Sequence, residues 1–554
     1  MTKRLDSLGI DSSCTQSRHN GSSKPLLERE PGHIRNRRTN RVSVLVRELR
    51  QPLPRRTMRI VAAAVVLLLL SFLSIALIPW LLPSIDHSAR VSASLSSLWT
   101  AEGNQEYSYF GHSVSSAGDV NGDGYDDVIV GAFYYSNGEP CEGRALLYLG
   151  TPLGLSSSPS WAAESDRNYA SFGWSVSCAG DVNHDGYDDV IVGACAYSSD
   201  DNWLFEGAAF LYLGSPSGLS ASPSWTATGD QVGEEFGISV SSGGDVNGDG
   251  YDDVVVGADC YSDGQTGEGR AFLYLGSSSG LSDLPSWTAE SDQADAGFGY
   301  AVSSAGDTNC DGYDDVVVGA PFYSNGQDYE GRAYLYLGTS SGLSTSPSWT
   351  AESDLTDANL GFSVSSTGDV DDDGFDDVII GAPCYTNGQS KEGCAFFYIG
   401  SSSGLSSSPS WTGESDQVDS DFGDSVSSAG DVNGDGHSDV VIGARYYMNG
   451  EQGEGRAFLY LGSSSGLPSS SDWTAESDQT WALFGCSVSS AGDVNGDGRD
   501  EVIVGAPSYT SSAIDEGRAY LYGEVQIPEF KTLLIPVIGA VAIVVALRRT
   551  QAKK

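Results

Sequence analysis

Phe110-Gly111-His112-Ser113-Val114-Ser115-Ser116-Ala117-Gly118-Asp119-Val120-Asn121-Gly122-Asp123-Gly124-Tyr125-Asp126-Asp127-Val128-Ile129-Val130-Gly131-Ala132 decides how this chain is read. Its middle, D-x-N-x-D-G-x-D-D, places an oxygen-bearing side chain on every second residue and then runs into an apolar, β-branched segment. The stretch recurs, its first aspartate falling at Asp119, Asp181, Asp245, Asp307, Asp369, Asp431 and Asp493, in steps of 62, 64, 62, 62, 62 and 62 residues. A fixed period of this size marks a propeller, a solenoid or an array.

Two further blocks share the period. A Trp-Thr-Ala-Glu-Ser-Asp block or close variant starts at Trp99, Trp161, Trp225, Trp287, Trp349, Trp411 and Trp473. A Glu-Gly-Arg-Ala-Phe-Leu-Tyr block starts at Glu142, Glu206, Glu268, Glu330, Glu392, Glu454 and Glu516. Each unit therefore holds four short β-type runs separated by Gly, Ser, Asp and Pro turns. The reading is all-β: a seven-bladed β-propeller of four-stranded blades over residues 94–523. A β-solenoid competes, but its rungs are usually much shorter than this repeat. The chain enters with a Trp run and leaves after the third run of repeat seven, so Leu98–Ala101 is expected to complete the last blade and close the ring.

The loops have calcium chemistry. Calcium takes about six to eight oxygen ligands, and loop one offers Asp119, Asn121, Asp123 and Asp127 at positions 1, 3, 5 and 9, with the backbone carbonyl of Tyr125 at position 7. The second loop offers Asp181, Asn183, Asp185, Tyr187 and Asp189, and the third Asp245, Asn247, Asp249, Tyr251 and Asp253. The fourth has Asp307, Asn309, Asp311, Tyr313 and Asp315. The fifth, with Asp369, Asp371, Asp373, Phe375 and Asp377, is the most anionic and is expected to bind tightest. The sixth has Asp431, Asn433, Asp435, His437 and Asp439; the seventh, with Asp493, Asn495, Asp497, Arg499 and Glu501, is expected to be weakest because of the longer Glu501 and the cation beside it. Up to seven Ca2+ ions are expected. The competing account is turn chemistry, since Asx side chains cap their own backbone.

Charge divides the chain. Of 29 basic residues, 14 lie in 1–59 and 5 in the last 24 residues; of 74 acidic residues only 5 lie in 1–59 and none in the last 24. The middle so holds 10 basic and 69 acidic residues, which argues against nucleic acid as a partner. Residues 1–59 read as a basic cytoplasmic arm, with residues 1–57 untranslated if Met58 is the true start. Ile60–Leu82 reads as a signal anchor or signal peptide, with Val91-Ser92-Ala93 as a cleavage candidate, and 83–93 as a linker. Residues 524–531 form a second linker, Thr532–Leu547 a C-terminal hydrophobic anchor and 548–554 a basic tail. The acidic middle is then extracytoplasmic and the protein a membrane-anchored one at the cell surface. Cys384 and Cys394 are the pair best placed for a local disulfide.

Loops leave the strands alternately on two faces. On the face away from the calcium loops, the segment after Gly193-Ala194 is two residues longer than in the other repeats and carries Trp203, Leu204 and Phe205, while Trp481 lies on the same face. Loop aromatics are candidate ligand anchors, with local packing as the alternative. The Trp that opens each fourth run reads as blade core.

Phe-Gly, the Asp-rich loop and Gly-Ala-Pro (Gly319-Ala320-Pro321, Gly381-Ala382-Pro383, Gly505-Ala506-Pro507) together resemble the FG-GAP repeat of integrin alpha-chain propellers. Repeats one, two, three and six lack the final Pro, and repeat five has Leu360 for the Phe. The resemblance implies a cell-surface propeller used in calcium-dependent ligand recognition or adhesion, with a protein or glycan partner. Pro528-Glu529-Phe530 before the last apolar run resembles archaeal C-terminal sorting signals. No Ser/His/Asp or Cys/His arrangement stands out, so no enzyme is expected. A structural cell-envelope component and a hydrolase-associated propeller are the alternatives.

Overall fold

The computed structural model describes residues 94–199 and 204–525. The readings of 1–59, 60–82, 83–93, 532–547 and 548–554 lie outside these residues, as does Trp203. Among the described residues no helix is long and apolar enough to cross a membrane.

The described residues form seven antiparallel four-stranded sheets. Blade one is Val114–Gly118, Asp127–Ala132, Arg144–Tyr148 and Trp161–Glu164, in that spatial order. The second strand, Asp-Val-Ile-Val-Gly-Ala, is buried along its whole length, which is why it reads as an unbroken apolar run rather than an alternating one. First strands adjoin one another around the axis, and fourth strands lie outermost.

Ring closure follows the expected route. Blade seven consists of Ser487–Gly492, Glu501–Ala506, Arg518–Glu524 and, as its outer strand, Leu95–Glu102. Trp99 pairs with Leu521 and Glu102 with Arg518 in that register.

The apolar cores lie between blades. One cluster joins Val120, Ile129 and Leu147 of blade one to Phe172, Val190 and Tyr212 of blade two; another joins Val494, Ile503 and Leu521 of blade seven to Phe110, Val128 and Tyr148 of blade one. The repeated Trp is therefore not the interior of its own blade. Each is a bracket to the next: Trp99 meets Tyr148 edge-on, and the other six Trp–Tyr pairs repeat this at 4.8–4.9 Å. Its indole N–H donates to a carbonyl of the neighbouring blade, as from Trp99 to Ser156 at 3.0 Å and from Trp473 to Leu95 at 3.2 Å.

Two glycines of the unit are explained by these joints. A Cβ on Gly131 would lie 2.0 Å from the Gly173 carbonyl oxygen, so the Gly-Ala of one blade and the Phe-Gly of the next touch backbone to backbone. Gly118, at φ +66°, would place its Cβ 2.2 Å from an oxygen of Asp188 in blade two.

Candidate functional site

Each Asp-rich loop joins the first strand of a blade to the second. In loop one the Asp119 carboxylate accepts backbone N–H groups from Gly122 (2.8 Å), Asp123 (3.1 Å) and Gly124 (2.7 Å). Turn chemistry thus shapes the loop, as the competing account held. It leaves the other oxygens to be explained. Asp127, fully buried, accepts from Val120 (3.2 Å) and Gly150 (2.8 Å), pinning the loop to its own hairpin and to the end of the third strand. Burial, with Asp119 and Asp123 adding to it, pushes its carboxyl up to about 7. The same position is raised to about 7 at Asp189, Asp253, Asp315 and Asp377, and to about 8 at Asp439 and Glu501.

A cluster of carboxylates raised in this way is short of positive charge. Buried oxygens without partners lie in the same loops: Asn183 Oδ1 and Asp371 Oδ1 at position 3, and Asp497 Oδ1 at position 5. In loop five, one oxygen each of Asp369, Asp371 and Asp377 fall within 4.8 Å of one another. These donors are hard oxygens and fit a calcium-class cation. In loop seven Arg499 is salt-bridged to Glu524, while Asn495 Nδ2 donates to Glu501.

Positions 7 and 8 do work that sequence reasoning missed. The position-7 side chain leans on the preceding loop, Tyr187 over Gly122, Tyr313 over Gly248 and Tyr125 over Gly496. The position-8 aspartate accepts the backbone N–H of the preceding loop's position 1, as Asp188 does from Asp119 at 2.8 Å. Comparing 62-residue neighbours shows that these positions repeat, but not that they reach across blades.

On the other face the first strands converge on an axial cavity of 440 Å3. Its lining includes the residue after Phe-Gly, or after Leu-Gly in repeat five, from every repeat: His112, Trp174, Ile238, Tyr300, Phe362, Asp424 and Cys486. His112 packs on Trp174 at 4.6 Å and Tyr300 on Phe362 at 4.8 Å. Arg445 enters from blade six, 3.3 Å from Asp424 and 3.5 Å from Asp421, with its guanidinium 6.0 Å from the centre of the Phe362 ring. Burial, helped by Arg445, lowers the His112 pKa to about 4, so the imidazole is neutral at pH 7. The signal for this ring is present in the sequence: no two of the seven residues are alike, while their neighbours scarcely vary.

Of the expected ligand anchors, the described Leu204, Phe205 and Trp481 are not among the residues lining this cavity. Leu204 and Phe205 are half-buried, and both their carbonyls accept the Gly233 N–H, at 2.9 and 3.1 Å. Trp481 is 53% exposed and lies over Gly453, 6.4 Å from the Tyr446 ring. Cys384 and Cys394 are both free thiols: Cys394 is buried in the core, whereas Cys384 lines an open groove with Asp357 and Lys391.

An FG-GAP-like repeat model matches residues 119–192 and 431–504, and an FG-GAP repeat model matches 236–274, 298–336 and 360–391. Integrin alpha-5 of Xenopus laevis is 35% identical over 173 residues, 30% of this chain and 16% of that protein. Integrin alpha-IIb of Mus musculus is 37% identical over 161 residues, 28% of this chain and 15% of that protein. Integrin alpha-V of Gallus gallus is 32% identical over 232 residues, 40% of this chain and 21% of that protein. The matches span about a sixth to a fifth of these relatives. Among solved structures, an exotype rhamnogalacturonan lyase covers 74% of this chain and 72% of its own at 13% identity and a TM-score of 0.35, too loose a likeness to carry an argument. Together the repeat matches and the integrin relatives mark an FG-GAP, integrin-like propeller.

Proposed function

We propose that this FG-GAP propeller is a recognition module at the cell surface, stabilised by calcium in its loops, which binds a protein or glycan ligand at the axial cavity. On this reading the chain binds rather than catalyses, and the two apolar stretches at its ends serve to hold it at the membrane.

The observation that carries the proposal is the ring of seven unlike residues. A propeller assembled from near-identical units needs the same residue at each structural position. Variation at the axial mouth, where Trp174, Tyr300 and Phe362 stand beside the charged Arg445–Asp424 pair, is what a specific ligand would require. Aromatic and arginine side chains are also the types most often found to dominate binding energy. The loops supply a second part of the reading. Asp119, Asn121, Asp123 and Asp127, with the Tyr125 carbonyl, and their counterparts would hold Ca2+, whose charge offsets the crowded carboxylates.

Glycan and protein arrays probed with the full chain in calcium test this. Binding lost in Trp174→Ala and Tyr300→Ala, with melting temperature kept, is the expected result. No array binding, together with ordered self-assembly in calcium, would replace recognition with a cell-envelope layer.

A further inference from the structure

Blade five departs from its siblings on the face away from the loops. In five blades the Glu-Gly-Arg arginine stacks on a tyrosine and pairs with the glutamate of the outer strand: Arg144 with Glu164 at 3.3 Å, Arg270 with Glu290, Arg332 with Glu352, Arg456 with Glu476 at 2.5 Å and Arg518 with Glu102. Blade two has lost both partners, and Ala208 stands opposite Thr228. Blade five has lost only the cation: Cys394 stands opposite Glu414.

Glu414 therefore stands without its arginine, and it does so beside two more carboxylates. One oxygen each of Glu392, Glu414 and Asp416 lie within 4.8 Å of one another. Glu392 is 0% exposed. Its Oε1 accepts backbone N–H groups from Asn387 (2.7 Å) and Gln389 (3.2 Å), and its Oε2 is buried with no partner. Glu142, Glu268 and Glu330 share this orphaned oxygen, and in blade one Glu142, Glu164 and Asp166 make the same cluster, but each of these blades has an arginine two residues on, and Arg144 pairs with Glu164. In blade five the position is filled by a thiol whose pKa burial and these glutamates raise, and which supplies no positive charge. Lys391 does not substitute, since it lines the groove with Cys384 and Asp357. Asn387 Nδ2 holds Glu414 at 2.9 Å, and Asp416, exposed at the surface, leaves a path for an ion to enter.

We propose that Glu392, Glu414 and Asp416 form a further cation site, taking Ca2+ where the other blades carry an arginine. A buried carboxylate is retained only with a compensating charge, and three hard oxygen donors beside an entry path suit that ion. The site shares no residue with the seven loops.

Equilibrium dialysis of radioactive calcium against the full chain reads the number of ions bound. Glu414→Gln and Cys394→Arg, the latter restoring the residue of the five sibling blades, should each bind one ion fewer than the unaltered chain. An unchanged number in both would overturn the proposal. If Cys394→Arg fails to fold, the near-isosteric Glu414→Gln decides alone. Because the reading is a difference, it remains legible even if the loops bind nothing.

Discussion

The Asp126 carboxylate of blade one accepts the backbone N–H of Asp493 in blade seven at 2.8 Å, across 367 positions of sequence. Five other joints repeat the bond, at 2.7–2.9 Å. At the joint of blades five and six Ser438 takes the aspartate's place, and its backbone N–H donates to the Asp369 carbonyl at 3.2 Å. The acceptors form a belt just inside the loops, and Asp126 is the one that closes it. Asp126→Ala should lower stability by about 1 kcal/mol, the cost of leaving a partly buried donor unmet, with Asp126→Asn costing less. Denaturant melts measure this; an Asp126→Ala chain as stable as the unaltered one would mean that the belt contributes nothing to closure.

Closure also rests on Trp99, whose strand was legible as the missing fourth run of blade seven. It pairs across to blade seven while its ring and indole N–H engage Tyr148 and Ser156 of blade one. Trp99→Ala should cost on the order of 3 kcal/mol. The same change at Trp287, far from the joint, provides the comparison. If the latch is the weak seam, calorimetry will show broadening or a second transition only for Trp99→Ala.

Much of the architecture could be read because a strand, a turn and a loop are local patterns, and seven copies repeat them. The order of the four runs, the buried second strand and the acidic loops all belong to that class. What could not be read lies between blades. Trp161 and Tyr212, or Asp119 and Asp188, are joined by how two sheets stack, which no pattern within one repeat states. The axial ring was hidden for a different reason: His112, Trp174 and Asp424 are individually unremarkable and become a site only when rotation brings them to one axis. Trp481 reads from sequence as an anchor or as local packing, and the structure adds the glycine beneath it, Gly453.

His112 makes stability depend on pH. Burial lowers its folded pKa to about 4 from an ordinary 6.5, so the unfolded chain binds the extra proton first. The stability tied to neutral His112 is present above pH 6.5 and is lost as pH falls through about 4, amounting to on the order of 3 kcal/mol. His112→Phe should remove that component and keep the stacking on Trp174. The check is the difference in unfolding free energy between the two chains from pH 7 to pH 4. A constant difference would show that the imidazole titrates alike folded and unfolded.

Asp371 separates the two accounts of the loops. It is the carboxylate that makes loop five the most anionic, its Oδ1 is buried without a partner, and burial, Asp373 and Asp369 all raise its pKa. Every other loop has Asn at this position, so Asp371→Asn should fold. Without calcium the substitution removes a charge repelled by its neighbours, and the chain should melt higher, by roughly 1 kcal/mol of stability. With calcium it weakens a ligand of the tightest expected site, and the chain should melt lower, because an ion bound only to the folded state stabilises it by about 2.7 kcal/mol at a hundredfold excess over Kd. Calorimetry of both chains, in chelator and in calcium, looks for that crossing. Were the loops turns alone, Asp371→Asn would shift the melt by the same amount in either buffer.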